Sequence, residues 1–359
     1  MAIGGYQLGR YVNMGPRQYP VGSGSKTYQN EIDNSGWEAD VDNDCALVMG
    51  TTNTTSGAAS LIMGTGNVIK SGSTQNMILG GSNTIEETSD QCVIFGLGNV
   101  LYSGSDACAI FGVANNTSVG DDNDRNMIIG LANNVEGNRE SLIVGQSHTV
   151  VDGHHSIIAG SGNNCNFGVE NAWCIGTSNT ISGDCSRGAI MGWNNSNTTN
   201  ADYSLTTGFH AIGNIELGYT RGGGRLNSVE GSIQFTDILV ACQTTDATQT
   251  TMVTNRGSDK LRVPLNSSMM FRIDVIARRT GTQTESAAYE ILGCIKNDAG
   301  TTALEGSVTV TTIAEGDAAW DVTAVANNTD DTLEIKVTGK AATNINWVAS
   351  GRLTETNGA

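Results

Sequence analysis

Carboxylates are the first residues to weigh for chemistry. Glu86, Glu87, Asp90, Asp121, Asp122, Asp124, Glu136, Glu140, Asp152 and Glu170 recur through the middle of the chain. Two of them at the right separation could cleave a glycosidic bond, one as acid and one as base or nucleophile. They lie in Gly- and Asn-rich stretches between short apolar runs, where solvated turn charges belong. No catalytic residue is assigned, and the chain is expected not to be an enzyme. Asp121-Asp-Asn-Asp124 is rich in oxygen but lacks the spacing of a calcium loop. His148, His154 and His155 could share a metal only around a symmetry axis, and they fit surface or repeat positions better. No phosphate-cradling loop, nucleophile elbow or Ser-His-Asp order is present. No metal or cofactor is therefore expected. Eight cysteines without a CxxC pair read as free, buried thiols. In the last third, Tyr289, Trp320 and Trp347 could stack on a sugar at a receptor site, although aromatics at alternating strand positions also build cores.

These groups ride on a repeat. A three-residue apolar run ending in glycine recurs at Gly50, Gly64, Gly80, Gly96, Gly112, Gly130, Gly145, Gly160, Gly176, Gly192 and Gly208, most often sixteen residues apart. Three residues later stands an asparagine: Asn53, Asn67, Asn83, Asn99, Asn115, Asn133, Asn163, Asn179 and Asn195, with His148 and Ala211 as the exceptions. A unit this short suits two strands and two tight turns, hence one coil of a parallel β-solenoid or β-roll of about eleven coils. The middle of each run reads Val48, Ile62, Ile78, Ile94, Ile110, Ile128, Ile143, Ile158, Cys174, Ile190 and Thr206, a predicted inward ladder. The asparagines are predicted to stack as an amide ladder. The residues just before the glycines, Met49 to Thr207, are also apolar almost throughout. A strand greasy on both faces must bury both. Since no other segment has the length to cover this stripe, sister copies are expected to do so.

The wider composition sets limits. The formal net charge is −17 and charged residues make up 15% of the chain, against about 25% in typical domains. So acidic a protein repels phosphate backbones, and nucleic-acid binding is not expected. There is no apolar stretch of the length a membrane helix needs. The chain opens Met-Ala-Ile-Gly-Gly, so no secretory signal is expected. Residues 1–44 read as an arm that attaches to a larger assembly or caps the solenoid, 45–211 as the repeats, and 212–229 as a neck. Residues 230–359 read as an antiparallel β-sandwich of jelly-roll type, from alternations such as Phe271, Ile273, Val275 and Ala277.

Two resemblances follow. The pattern apolar-apolar-apolar-Gly-x-x-Asn-x-apolar over 45–211 resembles the head repeats of trimeric autotransporter adhesins, which favour alanine where this chain has asparagine. That resemblance implies a homotrimeric parallel β-roll. Phe271-Arg-Ile-Asp-Val-Ile-Ala-Arg-Arg279, Ala318-Ala-Trp-Asp-Val322 and Asn346-Trp-Val-Ala349 resemble a domain that closes many bacteriophage tail-fibre and tailspike proteins. It implies a virion protein assembled in the host cytoplasm, with other virion proteins bound through the arm and a host surface glycan or protein met by the tip. A polysaccharide-degrading tailspike and a capsid-decorating head fibre are the alternatives.

Overall fold

A five-residue strand that must turn back every sixteen residues needs corners, and the backbone supplies them. The computed structural model describes residues 28–29, 47–57, 59–117, 123–166, 168–183, 185, 187–198, 201–254, 260–281 and 285–358. The inserted loop at 118–122 and almost all of the proposed arm lie outside them. Within the described residues every regular element is a strand and there is no helix. The repeats form a parallel β-solenoid of about ten turns, near the eleven that the spacing predicts. The chain divides into two compact units, Met1–Asn171 and Ala172–Ala359.

In the first unit, five-residue strands from Leu47–Thr51 to Ile157–Ser161 stack in parallel and in register. Two- and three-residue strands, from Thr54–Thr55 to Asn164–Asn166, form the facing sheet. Val48, Ile62, Ile78, Ile94, Ile110, Ile128, Ile143 and Ile158 all point inward and are buried. They meet a second inward column that includes Ile69, Ile85, Leu101, Val135 and Val150. Each coil turns through left-handed residues, such as Ser82 (φ 52°) and Ala114 (φ 54°). The repeat glycine answers a different demand. Gly64 has φ +128°, and a Cβ there would lie 1.7 Å from the carbonyl oxygen of Gly80. No other residue fits that column.

The asparagines bond along the stack. Asn99 Nδ2 donates to Asn83 Oδ1 (2.9 Å) and to the Gly112 carbonyl (2.8 Å). Its own Oδ1 accepts the Asn115 N–H at 3.0 Å. The same pattern joins Asn53, Asn67, Asn83, Asn115 and Asn133. Where the column reads His148, Asn133 Oδ1 accepts its N–H at 3.1 Å. Its ring Nδ1 then accepts the Asn163 N–H, and Nε2 lies 3.1 Å from the Val144 carbonyl. The imidazole thus copies an amide as the tautomer protonated on Nε2, acceptor on one side and donor on the other.

The second unit begins with rungs of the same kind, Trp173–Thr177, Ala189–Trp193 and Leu205–Phe209. Cys174, Ile190 and Thr206 are buried, and Asn195 bonds to Asn179 Oδ1 and serves the Ala211 N–H. The proposed neck holds one more rung. Tyr219–Gly223 pairs in parallel register with Leu205–Phe209, Gly222 falling opposite Gly208. It then pairs antiparallel with Gln234–Thr244, so the parallel sheet passes without a break into an antiparallel one. That sheet continues through Ile345–Asn357, Ser267–Arg279 and Ser286–Asp298 to Thr301–Leu304 and Thr309–Glu315. A second antiparallel sheet is centred on Thr332–Thr338, with Asp321–Asn327 on one side and Thr250–Thr251 and Leu261–Arg262 on the other. One apolar core, including Phe271, Ile273, Ile291, Leu333 and Val337, fills the domain.

Candidate assembly face and ligand cleft

The outward positions of the five-residue strands make one face in each unit. In the first unit the central column carries Met49, Met63, Leu79, Phe95, Phe111, Ile129, Val144 and Ala159. Beside it stand Leu61, Met77, Val93, Met127, Leu142 and Ile157 on one flank and Leu97, Val113 and Leu131 on the other. Met127, Ile129, Leu131 and Ile157 are exposed, and Leu97 is 54% exposed. The Phe95 and Phe111 rings stack with centroids 5.3 Å apart. In the second unit the face presents Trp173, Ile175 and Met191, and Trp193, 56% exposed, stacks on Phe209 at 4.8 Å. Across all of these strands, from Leu47–Thr51 to Tyr219–Gly223, the one charged residue is Arg221.

The candidate sugar-stacking aromatics are not on a surface. Tyr289 and Trp320 are 2% exposed and Trp347 is fully buried. Their rings pack together, Trp347 lying 6.5 Å from Tyr289 and 5.7 Å from Trp320. The Tyr289 hydroxyl donates to Glu315 and the Trp347 indole N–H to Thr244 Oγ1. The expectation of a stacking site on them is corrected: all three side chains are buried in the domain's core and present no ring to solvent. The predicted ladder residues, by contrast, stand where the repeat puts them. Ile62, Ile78, Ile94, Ile110, Ile128, Ile143, Ile158 and Ile190 are buried, as are Asn67, Asn83, Asn99, Asn115, Asn133, Asn163, Asn179 and Asn195.

The turn carboxylates are engaged locally rather than gathered. Glu86 pairs with Lys70, and Glu140 with Arg125 (2.7 Å) and His155 (2.8 Å). Asp90, Asp106 and Asp124 cap backbone N–H groups one coil away. The three histidines part company: His148 is in the ladder, His154 bridges to the strand partner Glu170 through its backbone, and His155 faces Glu140. Among the described residues no group of three His, Cys, Asp or Glu is placed to hold a metal ion. Cys92, Cys108, Cys165, Cys174 and Cys185 are buried.

Sequence reasoning missed a cleft of about 590 Å³ in the second unit, where the last parallel rung meets the antiparallel sheet. Its walls include Arg221, Leu226, Ile233, Phe235, Arg352 and Glu355. Arg352 stacks over Phe235 at 4.2 Å and grips Asp237 with two hydrogen bonds of 2.7 and 3.1 Å. Glu355, 6% exposed, accepts from Gln234 Nε2 at 2.9 Å, and burial pushes its carboxyl up to about 7. Gln234 in turn clamps the last coil, its Oε1 accepting the Ile212 N–H and its Nε2 donating to the Ile212 carbonyl. One signal was available. Gly222 follows Gly208 by fourteen residues, the same interval that separates Gly50 from Gly64, so Arg221 could have been read as a face residue.

Compared with known proteins, the chain matches no family model and no curated protein. Among the described residues no helix is long and apolar enough to cross a membrane.

Proposed function

We propose that the protein is the subunit of a homotrimeric bacteriophage fibre or spike, with the solenoid as a stiff spacer and the C-terminal sheets, a sandwich of jelly-roll type, as the tip. The observation that carries the assembly is the apolar outward face of the strands in each unit. A strand of this solenoid fills the interior with the side chain of its second residue, yet its outward residues are Met, Leu, Ile, Phe, Trp and Val as often as not. An apolar face of this extent on a lone soluble chain is a liability that burial against another copy removes. The stacked Phe95–Phe111 and Trp193–Phe209 pairs give that contact rigid aromatic area. Three copies, rather than two, rest on the resemblance of the repeats to trimeric β-roll heads.

The virion role rests on the resemblance of residues 230–355 to fibre-closing domains. In this reading residues 1–44 attach the trimer to the particle and the tip meets a host surface glycan or protein, three weak contacts acting together. The outer face of the tip sheet suits a polar ligand, since Asp237, Arg352, Arg272 and Glu290 run across it as paired charges. Light scattering coupled to gel filtration tests the assembly: a mass three times that of the subunit is expected, and a folded monomer at micromolar concentration refutes it. Antibody against residues 230–359 on intact particles, viewed by electron microscopy, tests the virion role and separates tail from head. New reducing ends after incubation with host polysaccharide would favour the depolymerising tailspike instead.

A further inference from the structure

We propose that the cleft beside the last parallel rung is an anion-binding site in which the Arg221 guanidinium holds a phosphate, sulfate or carboxylate group, the neutral part of the ligand lying against Leu226, Ile233 and Phe235. Arg221 is the one charged residue in the five-residue strands of the repeat, from Leu47–Thr51 to Tyr219–Gly223. The chain holds 36 acidic residues against 19 Lys and Arg, so an arginine left without a carboxylate is a position at which pairing was easy and did not occur. Among the described residues no carboxylate lies within ion-pair distance of it.

The neighbours keep that charge available. The cross-strand partner of Arg221 is Phe235, an apolar ring. Arg352, the other cation of the cleft, is taken by Asp237. Glu355, the acid of the cleft, faces Gln234 instead. The space is also specific to this rung. At the register position of Gly223 the two preceding rungs carry Phe209 and Trp193, and their rings would fill it. A planar guanidinium with several N–H donors takes an oxyanion in two parallel hydrogen bonds, stronger than neutral ones. Exposed Leu226 and Ile233 beside it select a ligand with an apolar or ring-shaped body over a bare ion.

The lining comes from one chain, and the mass of each variant reads the assembly separately from the site. Calorimetry on the full-length protein, at fixed ionic strength with chloride as background, tests it with inorganic phosphate, sulfate, glucuronate and acetate as probes. Saturable binding of an oxyanion is expected, with glucuronate tighter than acetate. Arg221→Ala should weaken it at least about tenfold, Arg221→Lys should weaken it less, and Arg225→Ala, outside the cleft, should leave it unchanged. Mass measurement on each variant keeps assembly in view. No binding of any probe, or wild-type binding by Arg221→Ala, overturns the proposal. So does loss of the oligomer in Arg221→Ala with no probe bound by wild type, which would mean that the guanidinium pairs with a carboxylate of another copy. Equal binding of glucuronate and acetate overturns the part assigned to the apolar wall.

Discussion

At the scale of the residue, the amide ladder carries more than its single bonds. Asn99, itself buried, satisfies the part-buried Gly112 carbonyl and the buried Asn83 Oδ1 and Asn115 N–H at once. Asn99→Ala strands the Asn115 N–H away from water and removes the donor to the Gly112 carbonyl, and a stranded group costs about 1–3 kcal/mol. A loss of roughly 3 kcal/mol in denaturant unfolding is the expected result. His148 performs the same task with a titratable ring. Burial, which disfavours the charged ring, holds its pKa below the usual histidine value, and a second ring proton would also displace the Nδ1 contact to the Asn163 N–H. The folded state therefore resists protonation while the unfolded state does not. This contribution is present above the unfolded value of about 6.5 and is lost as the pH falls below it. His148→Asn restores the amide, and its melting temperature should depend less on pH between about 7 and 5 than that of the wild type.

At the scale of the element, adjacent positions on one strand have opposite duties. In Ala109–Val113, Ile110 is fully buried inside the coil and Phe111 looks outward. Ile110→Asp should abolish folding, since an unpaired charge has no place in a packed coil. Phe111→Asp should leave the strand signature in circular dichroism but lower the mass seen by light scattering. Loss of fold in both would refute the assignment of faces. This inside-outside division was legible in the sequence because a sixteen-residue period aligns like with like, and a misread register would scramble the isoleucine column. The tip was legible only as alternation. Period two tells that a strand has two faces, not which face another sheet covers, so Tyr289, Trp320 and Trp347 invited a surface role that the second sheet denies them. The rung Tyr219–Gly223 was hidden because Thr220 and Arg221 stand where every rung but the preceding one has apolar residues, and backbone pairing does not require apolar side chains. Glu355 and Gln234 are brought together by pairing of strands 121 residues apart, which no local pattern encodes.

At the scale of the whole molecule, acid has two opposed effects. Glu355 holds its proton up to about 7 in the folded chain against 4.5 as its ordinary value. Its contribution is thus fully favourable below about 4.5 and fades as the pH rises through about 7, a change on the order of 3 kcal/mol. Glu355→Gln should remove that decline and keep the hydrogen bond to Gln234 within reach. Urea midpoints taken from pH 4.5 to 7.5 would read it, and a slope unchanged by the substitution would show that Glu355 is not its source.

Stacking that is purely nearest-neighbour has a consequence for size. Excising Val93–Cys108 leaves Cys92 followed by Ala109, the same dipeptide that occurs at Cys108–Ala109. Ala109 would then take the place of Val93 against Met77, and Asn115 would land over Asn83 with every amide still served. The shortened chain should fold and lose about 4.8 Å of reach. Coils of fifteen and eighteen residues also keep glycine on glycine, the turns taking up the difference. Distance is therefore tunable in whole steps, and the protein is built as a ruler graduated in coils.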